Sequence, residues 1–212
     1  MLERIKVIVF DVDDVLINGT DENGCFYWTQ NINKDLGINK TSLQKLFLKG
    51  WQKAVLGRVD TVEIISNFLK EININITPQQ FITYWLAKDS NIDRKMFKAA
   101  ETLKNNGYLL YLGTVQEKYR SRFLWEELGF KKHFKDIYAS CFLGCKKPQK
   151  DYFNNVQKRI GVSPEQILLI DDKEKNIEGA LNAGWQGYLH KTYEETDKNL
   201  FNFFQKKSIL TK

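Results

Sequence analysis

Three observations predict an α/β fold built on a parallel sheet. The run Val7-Ile8-Val9-Phe10 is apolar throughout and rich in β-branched residues, as a strand covered on both faces requires. Ile167-Leu168-Leu169-Ile170 repeats that pattern far along the chain. Both runs end in acids, Asp11-Val12-Asp13 and Asp171-Asp172, and ligands of parallel sheets bind beyond the carboxyl ends of the strands.

In chain order, the first strand ends in Asp11 and Asp13, whose spacing lets both side chains reach one pocket. Taken alone, Asp-x-Asp fits a turn with side-chain hydrogen bonds equally well. From Ile17 to about Ile92 no strand pattern competes with helix, so this stretch reads as a helical insertion. Thr41 with Gln44 is expected to open a helix over Leu43 to Val55, Asp60 with Glu63 one over Val62 to Ile72, and Thr77-Pro78 with Gln80 one over Phe81 to Ala87. Phe26, Tyr27, Trp28, Trp51 and Trp85 are read as packing within this insertion, since aromatic side chains mainly bury area.

Tyr108-Leu109-Leu110-Tyr111-Leu112 is the next strand, and it runs into Gly113-Thr114. Thr114 serves either as a hydroxyl donor to a phosphate or as the cap of a helix opening at Val115-Gln116-Glu117. Lys147, in Lys146-Lys147-Pro148, is either a charge for the same phosphate or one more solvated lysine. Ser163-Pro164-Glu165-Gln166 predicts one capped turn of helix just before the Ile167 strand. Glu194 to Lys207 carries Leu200, Phe201 and Phe204 on one face of an amphipathic terminal helix.

Adjacent carboxylates repel, and burying them is costly unless a cation or a hydrogen-bond donor offsets the charge. Gathered at one sheet edge, Asp11, Asp13, Asp171 and Asp172 would make an all-oxygen site suited to Mg²⁺.

The 212 residues allow one core plus a modest insertion, and 42% hydrophobic content supports a packed interior. A net charge of +6 is compatible with a nucleic-acid partner, but the basic residues are dispersed among acids and form no stripe. A positive field also steers small phosphate esters. The three cysteines, Cys25, Cys141 and Cys145, form no regular framework and are expected as free thiols. His133 and His190 stand alone and are read as structural. No signal sequence or membrane-spanning run stands out, so a cytoplasmic location and no membrane partner are expected.

The order Asp-x-Asp, strand-Thr, Lys-Pro and strand-Asp-Asp resembles the haloacid dehalogenase superfamily of phosphatases and phosphotransferases, from Val7 to about Leu189. Ile170-Asp171-Asp172 through Gly179-Ala180 is similar to the fourth motif of the branch that holds sugar-phosphate phosphatases and the epoxide hydrolase phosphatase domain. The resemblance implies a Rossmann-like three-layer core over residues 1–16 and 93–212, with a helical cap over residues 17–92. It implies a Mg²⁺-dependent phosphatase acting on a small phosphomonoester, a sugar phosphate among the candidates, through an aspartyl-phosphate. Asp11 would be the nucleophile and Asp13 the general acid and base. Asp11, the Asp13 backbone carbonyl and Asp172 would hold Mg²⁺, with Asp171 as a further ligand and Asn176 orienting it. Thr114, Val115 and Lys147 would contact the phosphoryl group, and Arg58, on a turn of the cap, the rest of the substrate.

Asp14 and Val115 depart from the family's usual glycine and asparagine. Retention of Asp13 favours phosphoryl chemistry over dehalogenation. A phosphomutase, or a non-catalytic member that binds a phosphate ligand or a protein, are the alternatives. Monomer and homodimer are both open.

Overall fold

The apolar runs pair side by side at the centre of a sheet. In the computed structural model, which describes residues 5–48 and 50–196, the strands are β1 (Val7–Phe10), β2 (Leu109–Thr114), β3 (Ile137–Ala139), β4 (Ile167–Asp171) and β5 (Gln186–Leu189). Their spatial order is β3-β2-β1-β4-β5 and every pairing is parallel, as expected. The register pairs Phe10 with both Leu112 and Ile170. The chain beyond Phe10 therefore emerges beside the chain beyond Ile170, and the Asp11 N–H donates to the Ile170 carbonyl at 2.8 Å.

Between β1 and β2 the chain leaves the sheet and builds α1 (Ile32–Leu36), α2 (Lys40–Leu48), α3 (Trp51–Val55), α4 (Thr61–Glu71) and α5 (Pro78–Lys88). These helices bury a cluster of their own, with Trp28, Ile65, Phe68, Phe81 and Trp85 at its heart. Trp28 and Trp85 are core residues, Trp51 packs edge-on to Trp85, and Phe26 and Tyr27 stay exposed. The outgoing and returning chains meet: Ile17 bridges Ile92, and the Asn18 N–H donates to the Asn91 carbonyl at 2.8 Å.

Two of the expected caps form. Asp60 accepts from the Val62 N–H, and Thr77 with Gln80 makes a full capping box ahead of Pro78. The helix expected over Leu43 to Val55 is instead two helices, because Gly50 sits between them at φ 86°, a left-handed conformation that glycine adopts without penalty. Its opening cap is Asn39, which accepts from the Thr41 N–H, and not Thr41.

The returning helix α6 (Arg94–Asn105) covers one face of the sheet. After β2 come α7 (Lys118–Arg122) and a π-helical turn over Phe123–Glu127; α8 (Ser140–Leu143) and α9 (Lys150–Ile160) follow β3, and α10 (Glu174–Asn182) follows β4. Strand alternation divides the core in two. Ile8, Phe10, Leu110, Leu112, Leu168 and Ile170 face Met96, Ala100, Leu124, Phe130 and Phe134, while Val7, Val9, Ile167 and Leu169 face Tyr152, Phe153, Val156, Ala180 and Trp185. This is the three-layer arrangement.

The turn at Pro164–Gln166 forms as a single 3₁₀ turn, but Ser163 makes no side-chain cap there. The terminal helix expected from Glu194 to Lys207 lies outside the described residues beyond Thr196. All three cysteines are free, His133 pairs with Glu101 at 3.1 Å, and buried His190 bonds Thr196. No helix among the described residues is long and apolar enough to cross a membrane.

The helical insertion is seated on the sheet's carboxyl edge just after β3. Ser140 Oγ donates to the Val55 carbonyl at 2.7 Å, and Gly57, at φ 69°, lies so close that an added Cβ would overlap the Cys141 carbonyl oxygen. Gly57→Ala is therefore expected to lower stability by more than about 1 kcal/mol, read as the shift in a denaturant unfolding curve.

Candidate active site

The sheet register determines which side chains meet. Asp11 and Asp171 follow paired residues of adjacent strands, so their carboxylates share one buried space at the carboxyl edge. Lys147 enters it from the loop ahead of α9. Its ammonium lies 2.9 Å from Asp11 Oδ2 and 2.5 Å from Asp171 Oδ2. The other Asp171 oxygen accepts from the Lys173 N–H at 2.9 Å and from Asn176 Nδ2 at 2.8 Å, so α10 anchors this carboxylate through its first turn. Asp11 Oδ1 accepts from the Val12 N–H at 2.7 Å.

Burial and charge pull these groups apart in acidity. Burial pushes Asp11 well above the usual carboxylate range, against the opposing charge of Lys147. Burial would raise Asp171 too, but the charge and hydrogen bond of Lys147 bring it below its ordinary value. Burial raises Asp172, opposed by Lys173. Lys147 is held protonated: burial lowers it, and the facing carboxylates more than reverse that.

A cation fits here. One oxygen each from Asp11, Asp171 and Asp172 lies within 4.8 Å of the others, and Asp172 Oδ1 is buried with no hydrogen-bond partner among the described residues. An all-oxygen donor set of this kind suits Mg²⁺. Both oxygens of Asp171 and of Asp11 are engaged, and Asp172 Oδ1 is the free donor of the three.

Thr114 ends β2, fully buried, with its hydroxyl unpartnered among the described residues. It is not a helix cap: α7 opens at Lys118, and Glu117 caps it by accepting from the Tyr119 and Arg120 N–H groups. Burying a hydroxyl without a partner costs free energy, so this donor is poised for a ligand. Val115 follows, half-buried, while Arg58 is exposed on the turn after α3.

Asp13 has a setting of its own. Arg120 Nη2 donates to Asp13 Oδ1 at 2.7 Å and Gln116 Nε2 to Asp13 Oδ2 at 2.5 Å. Arg120 also pairs with Asp89 at 2.7 Å, at the end of α5. Burial pushes Asp89 up to about 6 despite that arginine. Asp14, where glycine was expected, stands at φ 57° and accepts from the Gly19 and Thr20 N–H groups at 3.1 and 2.9 Å. Aspartate tolerates that backbone region, and its carboxylate secures the turn that glycine would have left to the backbone alone.

Gln116 and Arg120 contact Asp13, and Glu117 and Asp89 contact Arg120; none of the four was picked out by the sequence. The available signal was the polar run Gln116-Glu117-Lys118-Tyr119-Arg120 immediately after a buried strand. Polar residues at a strand's carboxyl end are candidates for the site wherever their helix begins.

A parallel sheet with clustered acids and a buried lysine at its carboxyl edge defines a hydrolase of the haloacid dehalogenase type. A family model described as a haloacid dehalogenase-like hydrolase matches residues 5–184, and the chain belongs to that family.

Among characterised proteins, the sesquiterpene phosphatase astK of Aspergillus oryzae is 25% identical over 203 residues, spanning 91% of this chain and 92% of the relative. Drimenol cyclase drtB of Aspergillus calidoustus is 24% identical over 204 residues, and the match spans 94% of this chain but only 37% of that protein. Flavin mononucleotide hydrolase 1 of Arabidopsis thaliana is 20% identical, with 93% of this chain and 77% of the relative covered.

Among solved structures, a haloacid dehalogenase family enzyme of Bacteroides thetaiotaomicron, crystallised with magnesium and inorganic phosphate, superposes with a TM-score of 0.75 at 21% identity, over 88% of this chain and 94% of that one. A predicted hydrolase of the same family from Porphyromonas gingivalis gives 0.74 at 24%, over 95% and 98%. These two likenesses are of fold.

Mg²⁺ in large excess over its dissociation constant is expected to stabilise the protein by about 2.7 kcal/mol at 100-fold excess. Thermal unfolding with and without the ion measures this, and Asp172→Asn is expected to remove most of the gain.

Proposed function

We propose that the chain is a Mg²⁺-dependent phosphatase that hydrolyses a small phosphomonoester through an aspartyl-phosphate on Asp11. The observation that carries the reading is Lys147, buried between Asp11 and Asp171 beside Asp172 and the unpartnered Thr114 hydroxyl. A carboxylate can attack a phosphate dianion only where fixed positive charge offsets their repulsion.

Asp11 attacks phosphorus as the ester P–O bond breaks, and Asp13 passes its proton to the departing oxygen. Water then attacks the same phosphorus, giving its proton back to Asp13 while the bond to Asp11 breaks and phosphate leaves. Lys147 and Thr114 hold the phosphoryl oxygens through both steps, Val115 lines that end of the site, and Asp171 with Asn176 holds Lys147 in place. Asp11, Asp172 and the Asp13 carbonyl, with Asp171 alongside, would hold Mg²⁺, which would supply charge neutralisation.

Residues 17–92 are assigned as a cap over the site, with residues 1–16 and 93–212 as the catalytic core. The separate hydrophobic cluster of α1–α5 and the meeting of Ile17 with Ile92 support this division. A cap excludes water and meets the leaving group, and Arg58 is its candidate contact. Two relatives are named for release of phosphate or hydrolysis of a phosphate-bearing molecule, which supports a small phosphate ester as substrate.

Phosphate release from p-nitrophenyl phosphate tests the reading. Asp11→Asn and a metal chelator are each expected to abolish turnover, and Asp13→Asn, by removing the base that takes the proton from water, to lower kcat by about 100- to 10,000-fold. Activity retained in Asp11→Asn would overturn the covalent route. Thr114→Val, which loses one bond to a charged oxygen, is expected to lower kcat/KM by about 10- to 100-fold.

A further inference from the structure

We infer that Arg120 is a positioning residue for Asp13, aiming its carboxyl at the leaving oxygen from an anchor in the helical insertion; the inference rests on the phosphatase reading above. Arg120 is 1% exposed, and its guanidinium reaches two acids, one through each terminal nitrogen. Nη1 bonds Asp89 Oδ2 and the Asp89 backbone carbonyl, both at 2.7 Å, and Nη2 bonds Asp13 Oδ1 at 2.7 Å. Asp89 is itself secured by Trp85 Nε1 at 3.0 Å, and the guanidinium carbon lies 6.0 Å from the centre of a Trp85 ring.

A buried arginine needs one acid to offset its charge, and Asp89 already supplies it. The bond to Asp13 serves something else. Asp13 is the partly open member of the trio, its side chain 36% exposed against 9% for Asp89. A half-open carboxylate would otherwise sample several rotamers, and a proton must be delivered within hydrogen-bond reach of one oxygen. Arg120 and Gln116 each hold one Asp13 oxygen and so determine both the rotamer and the carboxyl plane.

The neighbouring residues tie the same segment to the insertion. Thr61 Oγ1 donates to Glu117, Lys118 Nζ lies 3.6 Å from Asp60 Oδ2, and the Tyr119 hydroxyl donates to Asp60 at 3.2 Å. From Gln116 to Arg120, every residue contacts either Asp13 or the insertion.

The test uses kcat/KM for two aryl phosphates, because that constant reports formation of the phospho-enzyme. p-Nitrophenolate leaves with little help from an acid, whereas phenolate needs the proton. Arg120→Met alone would strand Asp89 as a buried unpaired charge; Arg120→Met with Asp89→Asn avoids this, and its unfolding midpoint establishes that it folds. The double variant is expected to lose about 100-fold with phenyl phosphate and at least about tenfold less with p-nitrophenyl phosphate. Arg120→Lys, which restores a donor without the fork, is expected to recover part of the phenyl phosphate loss.

Equal losses on the two esters, or none, would overturn the positioning role while the phosphatase reading stands. Failure of the native chain to release phosphate from either ester would remove that reading and this inference together.

Discussion

Two carboxylates at adjacent strand ends repel each other, and out of water that repulsion is poorly screened. The Lys147 ammonium, 2.9 Å from Asp11 and 2.5 Å from Asp171, is what lets both remain buried. The parallel register of β1 with β4 sets the two acids side by side, so the sheet creates the repulsion that the lysine offsets. Lys173 and Asn176 then occupy the second oxygen of Asp171. Left without a hydrogen-bond partner among the described residues are Asp172 Oδ1 and the Thr114 hydroxyl, beside the Asp11 carboxylate.

The same economy of charge governs the other half of the site. Asp13 and Asp89 come from distant parts of the chain and share Arg120 between them. Glu117, buried at the head of α7, accepts from Thr61 and from two backbone N–H groups. These contacts join the helical insertion to the chain beyond β2, and through Arg120 to Asp13.

Asp14 illustrates how a substitution can be absorbed locally. Its left-handed backbone is a conformation for which glycine is the usual choice. Aspartate meets the requirement because its short carboxylate can accept two backbone N–H groups of the following loop, at Gly19 and Thr20. The additional charge is thereby committed to a turn, though it still adds to the field that raises Asp172.

The sequence by itself determined the class of fold and the identity of the principal acids. Fully apolar runs such as Val7–Phe10 and Ile167–Ile170 suit a strand buried on both faces, and the acids beyond them lie where a parallel sheet opens to ligands. The caps at Asp60 and Thr77 were legible for the same reason: they depend on residues a few positions apart. The break at Gly50 and the cap at Glu117 were less so, since a glycine within a helical pattern and an acid after a strand each suit more than one backbone course until tertiary neighbours select one. Tertiary structure alone decided that Lys147 would lie between Asp11 and Asp171, and that Arg120 would join Asp13 to Asp89. All of these partners are 24 residues apart or more. The energy of such contacts depends on distance, burial and screening, which arise only when the chain has folded.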